Sequence, residues 1–152
     1  MDGHETANNL ELLTFRLGEQ EYALDIMSVR EIRGWSRTTP LPHAPKHVKG
    51  VVNLRGTVLP VMDLAVRFGQ SPKEHCDRNV VIVVKHCDTV TGLLVDAVSD
   101  IITLDQESLQ PPPDLASNGQ TGVIRALTLL DERMIRILDL ETVIANERSD
   151  AA

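Results

Sequence analysis

HVKGVVNLRGTVLPVMDL, residues 47–64, reads as two apolar runs folded back on each other at Arg55-Gly56. Gly56 answers a backbone need, because a tight hairpin turn places residues at positive φ, which glycine reaches without steric cost. Arg55 answers no such need. At the tip of a hairpin in an acidic protein it is either an ordinary solvated charge or a contact for a partner, and this stretch alone admits both readings.

Outward from the hairpin, the chain is a series of short β-type runs bounded by turn residues. LELLTFRL (10–17) ends at Gly18-Glu19, and EYALD (21–25) is its return strand. NVVIVV (79–84) is uninterrupted and β-branched, as expected of a strand covered on both faces. KHCDTVTG (85–92) turns into LLVD and DIITL, and VIRALTLL and MIRILDL flank a turn at Asp131-Glu132. Helix is scarce: LAVRFG after Asp63, LETVIANE after Asp139, and a turn at PKHVK opened by Pro45. Many short strands at near-regular spacing predict an all-β barrel or sandwich.

A repeat sharpens that expectation. GVVNLRGTVLPVMDL from Gly50 resembles GVIRALTLLDERMIRILDL from Gly122, and ALDIMSVREI (23–32) parallels LVDAVSDII (94–102). Two copies of one small all-β unit, folding as a pseudo-symmetric pair, are the predicted architecture. Where the first copy has the tight Arg55-Gly56 turn, the second has the longer LTLLDER. The unit is therefore expected to tolerate different connections there, and Arg55 is not a requirement of the fold.

Composition bounds the function. The chain has 152 residues, 42% of them hydrophobic, and no apolar stretch near the ~20 residues of a membrane span, so no direct membrane insertion is expected. Folding at this size buries roughly 70% of the unfolded surface, enough for a core without disulfides or metals. A formal charge of −7 and a pI near 5.1 argue against nucleic acid, whose phosphates need a basic stripe. The four aromatic residues, Phe15, Tyr22, Trp35 and Phe68, are too scattered to form a stacking platform. Residues 1–9, MDGHETANN, lack the apolar core of a secretory signal, which predicts a cytoplasmic location, and they read as a flexible tail, as do residues 146–152.

No motif of catalysis is present: there is no GxxxxGK[ST] or GxGxxG phosphate cradle, no GxSxG elbow and no HExxH. His43 and His47 stand four apart with Pro45 between them and no third ligand close by. His75-Cys76 and His86-Cys87 are the more tempting metal set, but neighbours on a strand point to opposite faces and a Cys-x-x-Cys knuckle is missing, so neither metal nor other cofactor is expected. Cys87 reads as a small residue at a strand end and Cys76 as a loop thiol. The carboxylates read as a solvating surface, and PPPDLASNGQTG (111–122) as a stiff connection.

VREIRGW (29–35), KGVVNLRGTVLPVMDL (49–64), NVVIVV and GLLVDAVSDIITL (92–104) together resemble the CheW family of chemotaxis coupling proteins, in order and spacing, from about Leu10 to Ile144. The combination of EIRG with a downstream KGVxNLRGxxxPVxDL carries the specificity. The resemblance implies two intertwined five-stranded SH3-like β-barrels with a few short helices, spanning residues 10–145. It implies an adaptor without catalysis, tying the histidine kinase CheA to the cytoplasmic tips of methyl-accepting chemoreceptors and recruited to membrane receptor arrays.

Carried over position by position, the resemblance makes Val29, Glu31, Gly50, Asn53, Arg55 and Gly56 the receptor-binding residues, in a groove between the barrels, with Glu31 and Arg55 paired. The kinase is expected on barrel surfaces that no residue here identifies. If VREIR is extended, Val29 and Glu31 share one face and Ile32 takes the other; Ile26, Val29 and Ile32 fit one helical stripe equally well. Gly50 either allows close backbone approach or ends the turn before it. Other readings are the coupling half of a CheV-type protein, a kinase's regulatory domain, a CheW-like module of another kinase pathway and a small β-barrel metal protein; the chain's end near Ala152 without a phospho-acceptor domain favours a stand-alone adaptor.

Overall fold

Val81 and Val83 face one apolar core while Ile82 and Val84 face another, so the unbroken apolar run at residues 80–84 is a strand buried on both sides, as its composition predicts. A computed structural model describes residues 9–70, 78–111 and 122–144. Its strands are β1 (Asn9–Leu17), β2 (Gln20–Asp25), β3 (Val29–Gly34), β4 (Val48–Leu54), β5 (Thr57–Asp63), β6 (Val80–His86), β7 (Thr89–Val95), β8 (Ala97–Asp105), β9 (Ile124–Leu130) and β10 (Arg133–Leu138). A single helical turn, α1 (Leu64–Arg67), follows β5, and residues 140–144 are helical after β10.

The strands form two five-stranded sheets, β3-β6-β7-β5-β4 and β8-β1-β2-β10-β9. If β1–β5 and β6–β10 are taken as the two repeats, each sheet holds the first two strands of one repeat and the last three of the other. The repeats are thus exchanged, and neither sheet exists without both halves of the chain. Four pairings join the halves: β5 with β7 and β2 with β10 are parallel, and β3 with β6 and β1 with β8 are antiparallel. All other ladders are antiparallel.

Each sheet curls about its own small core. Leu59, Val61, Val81, Val83 and Leu94 fill the first barrel (β3–β7), and Leu12, Ala23, Leu104, Ala126, Ile135 and Ile137 fill the second (β1, β2, β8–β10). The opposite sheet faces share a larger core around Phe15, Tyr22, Phe68, Met62, Ile82 and Leu93. Both seams are drawn together by the same device. Thr39 exchanges two backbone hydrogen bonds with Val51 in the first barrel, at 2.8 and 2.9 Å, and Gln110 does so with Leu127 in the second, at 2.8 and 2.9 Å.

The Asp-Leu that ends each repeat is a helix cap. The Asp63 carboxylate accepts the Val66 N–H at 3.4 Å, and the Asp139 carboxylate accepts the Thr142 N–H at 3.3 Å.

Several expectations change. The β9–β10 connection is not longer than its counterpart: Asp131-Glu132 is a two-residue turn like Arg55-Gly56, and both residues of each turn have positive φ. The extra residues of the second copy lie in the arm before the turn, so the two bridges, Thr39 with Val51 and Gln110 with Leu127, make Val51 equivalent to Leu127, and Gly50 corresponds to Ala126 rather than to Gly122. Cys87 follows the end of β6 as expected, and it is exposed at the β6–β7 tip with φ 56°. His43 is exposed in a turn while His47 is buried, and no helix joins them. Asn9, placed in the tail, already belongs to β1. His75-Cys76, residues 112–121 and most of both tails lie outside the described residues.

Candidate functional site

Strands β3 and β4 are the two free edges of the first sheet, and the curl of that sheet brings them face to face. Across this seam the Arg55 guanidinium, from the β4–β5 tip, donates to the Glu31 carboxylate on β3 at 2.5 Å. The other Glu31 oxygen lies 3.8 Å from Arg33. Arg55 is 71% exposed and Glu31 27% exposed, so the pair sits in water at one end and against the barrel at the other.

Local sequence explains each position. Asp25 ends β2 and its carboxylate accepts the Met27 N–H at 3.0 Å, fixing a single 3₁₀ turn over Ile26–Ser28 from which β3 departs. The chain from Val29 onward is therefore strand, and the helical-stripe alternative for Ile26, Val29 and Ile32 is excluded. A bulge at Arg30 then changes the phase of β3, since Val29 pairs with Val84 but Glu31 with the adjacent Val83. Directly opposed residues share a sheet face. Val29 therefore points with Val84 toward the shared core, against which it packs, while Glu31 and Arg33 point with Val83 and Val81 toward the barrel seam. The expectation that Val29 and Glu31 share one face is corrected: the extra residue flips Glu31 to the side where Arg55 waits.

The hairpin tip is braced by its own side chain. Asn53 accepts the Gly56 N–H at 2.9 Å through Oδ1, and its neighbour across the ladder is the exposed Val58. Gly50 is buried, with φ 146°, and a Cβ there would lie 2.3 Å from the Thr39 carbonyl oxygen. The close approach it permits is that of the chain's own Thr39-Pro40, which seals the seam. Arg55 thus meets Glu31 across the seam, Asn53 and Gly56 hold the tip that carries Arg55, Gly50 lies under Thr39-Pro40, and Val29 anchors β3 from the other face.

Sequence reasoning missed three neighbours of this surface. Arg33, two residues beyond Glu31, had a legible signal in the strand period. Val58 had one as the cross-strand partner of Asn53. Thr39 had none, since only the curl of the sheet places it over Gly50. Beside the 3₁₀ turn lies a cleft lined by Asn9, Leu10, Glu11, Asp25, Ile26, Met27 and Thr103; Met27 is 85% exposed.

Among the described residues no group of three or more His, Cys, Asp or Glu is placed to hold a metal, and no helix is long and apolar enough to cross a membrane. An exposed ion pair beside apolar side chains, on a rigid two-barrel scaffold, is the chemistry of a protein-binding module. The comparisons give that class its family. The CheW-like domain family matches residues 11–148. Chemotaxis protein CheW of Rhizobium meliloti (strain 1021) is 46% identical over 149 residues, covering 98% of this chain and 96% of that protein. A probable chemotaxis protein CheW of Rhizobium etli is 47% identical over 142 residues, covering 93% and 92%. The crystal structure of the scaffolding protein TtCheW from Thermoanaerobacter tengcongensis superposes with a TM-score of 0.81 at 33% identity, covering 88% of this chain and 91% of that one. The chain belongs to the CheW-like family, the scaffold and adaptor proteins of chemotaxis signalling, and its two five-stranded sheets are the SH3-like barrels of that fold.

Proposed function

We propose that residues 10–145 couple the histidine kinase CheA to the cytoplasmic tips of methyl-accepting chemoreceptors at membrane receptor arrays, and that the chain turns over no substrate. The receptor docks in the groove between the barrels, with the Arg55–Glu31 pair of the first barrel as its charged contact. Glu31 and Arg55 present the charges, Asn53 and Gly56 form the tip, Gly50 lets the β3–β4 connection close over it, and Val29 fixes β3 from behind. The observation that carries the reading is the Arg55–Glu31 pair: it spans two sheet edges on an exposed surface, where it adds little to stability but holds two hydrogen-bonding groups in fixed positions for a partner.

The test is reconstitution. Kinase, receptor fragment and this protein together should show more kinase autophosphorylation than kinase and receptor alone, and Arg55→Ala should remove most of the gain while the protein remains folded. No gain with a cognate set of partners would sink the coupling reading; a gain that Arg55→Ala leaves intact would sink the assigned surface.

A further inference from the structure

Among the described residues, the two halves of the chain share every core. In the largest, nine buried residues come from the first half, residues 9–70, among them Phe15, Tyr22 and Phe68, and nine from the second, residues 78–144, among them Ile82, Leu93 and Val143. The two smaller cores are mixed in the same way, Leu59 joining Val83 and Leu94 in one, and Leu12 joining Leu104 and Ile135 in the other. Polar contacts cross the same boundary. The buried Glu21 carboxylate takes Arg133 at 3.3 Å, the Gly18 N–H donates to Asp96 at 2.6 Å, and the Trp35 N–H donates to the Asn79 carbonyl at 3.0 Å. A half without its complement is left with open sheet edges and an exposed apolar face, and the surface that fits it is the other half.

The covalent connection does not choose which copy supplies that half. Asp63 at the end of β5 and Val81 near the start of β6 both pair with Leu94 of β7, so they stand two strand spacings apart, roughly 10 Å. Residues 69–79, which follow α1 and lead to β6, have a length that reaches ~35 Å when extended. That length closes the monomer with room to spare and is equally able to carry β6 into a neighbouring copy.

We propose that two copies of this chain exchange halves, β1–β5 of each completing its sheets with β6–β10 of the other. Each composite unit contains the same ladders and cores as the monomer, so the exchange sacrifices none of them, and concentration decides the outcome. A short connection presents the chain's own second half at an effective concentration on the order of 1 mM. The closed monomer therefore dominates in dilute solution, and exchange occurs where chains fold crowded together. Once formed, the dimer reverts slowly, because the return to monomers requires opening every shared core. This inference stands on topology alone and is independent of the kinase and receptor assignments.

Complementation between two full-length variants tests it. Phe15→Asp puts a carboxylate at a fully buried site of the first half, and Leu93→Asp does so in the second. Each variant alone should show no cooperative melting. Denatured together and refolded as a mixture, they should regain a transition at the parent's melting temperature with at most half the parent's amplitude, since exchange yields one undamaged unit for each doubly damaged one. Mixing Phe15→Asp with Leu59→Asp, two lesions of the same half, should restore nothing. The parent protein supplies a second measure. Refolded at a concentration near the effective one, ~1 mM, it should form a dimer that persists for hours after dilution at high salt, conditions in which a charged surface contact between folded copies dissociates. A mixture of Phe15→Asp and Leu93→Asp that stays unfolded, equal recovery in the same-half mixture, or a parent that refolds at that concentration only to monomer or to a dimer lost on dilution would each overturn the proposal.

Discussion

Arg55 and Glu31 lie 24 residues apart in the chain and on opposite edges of one sheet, yet their side chains meet at 2.5 Å. Two backbone irregularities make this possible. The bulge at Arg30 turns Glu31 toward the seam, and the positive φ of Arg55, 53°, lets the hairpin reverse with a long charged residue at its tip. Arginine is a poor choice for that backbone, since non-glycine residues in the left-handed region carry a penalty of about 1 kcal/mol and asparagine bears it best. The hairpin thus gives up some local stability to place a guanidinium over Glu31.

Arg55→Asn should separate the two roles. Asparagine suits the first turn position ahead of Gly56, which offsets the ~0.2 to 1 kcal/mol lost with an exposed ion pair. The melting temperature should therefore move by no more than about 2 to 4 °C in either direction. Receptor-fragment affinity should fall about thirtyfold, the ~2 kcal/mol typical of an interface arginine. Isothermal titration against a receptor tip fragment measures this; an unfolded variant, or full affinity in a folded one, would show that Arg55 is structural or idle.

Gly50→Ala tests the closure of the seam. The added Cβ meets the Thr39 carbonyl at 2.3 Å and Pro40 at 3.1 Å, backbone that moves only by breaking the Thr39–Val51 bridge, and alanine must also adopt φ 146°. A loss of about 3 kcal/mol is expected from the clash and the strained φ together, roughly 6 to 12 °C in melting temperature at this size. Amide exchange at Val51 should accelerate well beyond that at Leu127, whose bridge in the second barrel is untouched. A melting curve that matches the parent would mean that the loop above Gly50 shifts freely.

Much of this architecture is legible in the sequence because burial writes itself into side-chain type. The doubly buried β6, the Gly18-Glu19 and Arg55-Gly56 reversals and the Asp-Leu caps all follow from local pattern. The repeat was legible as a pair of units, but its alignment was not: Gly122-Val123 looks like Gly50-Val51, whereas hydrogen bonding aligns Ala126 with Gly50. A small buried residue stands at that position in both barrels, and in the first the Thr39 carbonyl lies so close that glycine is required. The face of Glu31 was misread for a related reason, since a bulge leaves no mark in composition yet shifts every side chain beyond it. The strand exchange was implied only by the family resemblance; nothing local in β2 or β10 announces their parallel pairing.

Cys87→Gly should stabilise the protein. In the repeat, the β6–β7 tip Cys87-Asp88 corresponds to the β1–β2 tip Gly18-Glu19, and the φ values at the first position agree, 56° and 64°. Glycine holds this conformation without steric cost while cysteine does not, so the exchange should gain about 1 kcal/mol less the extra chain entropy of an unfolded glycine, or up to ~2 to 4 °C. Cys87→Ser should be near neutral, because the side chain is exposed and a hydroxyl there stays hydrated. A destabilised Cys87→Gly protein would indicate that the thiol makes a contact worth more than the strain.

Tyr22 gives the fold a defined response to alkali. It is 1% exposed, stacked between Phe15 and Phe68, with its hydroxyl donating to Gln20 at 2.9 Å. Burial pushes its pKa above the usual 10.0, and the Arg136 guanidinium, 5.8 Å from the ring centre, only partly opposes this. Above about pH 10 the unfolded chain releases the phenol proton while the folded chain retains it. The unfolded state then binds fewer protons, and stability falls with rising pH until the folded phenol ionises as well. Tyr22 is the single tyrosine, so tyrosinate absorbance reports it directly: ionisation should lie above the normal range in the native protein and return to normal in denaturant. Tyr22→Phe should cost about 1 kcal/mol near neutral pH through the lost hydrogen bond, yet lose less stability than the parent between neutrality and strong alkali, so the two curves should converge. A native tyrosinate transition at or below its usual position, or parallel curves for parent and Tyr22→Phe, would show that the ring is open to water in solution.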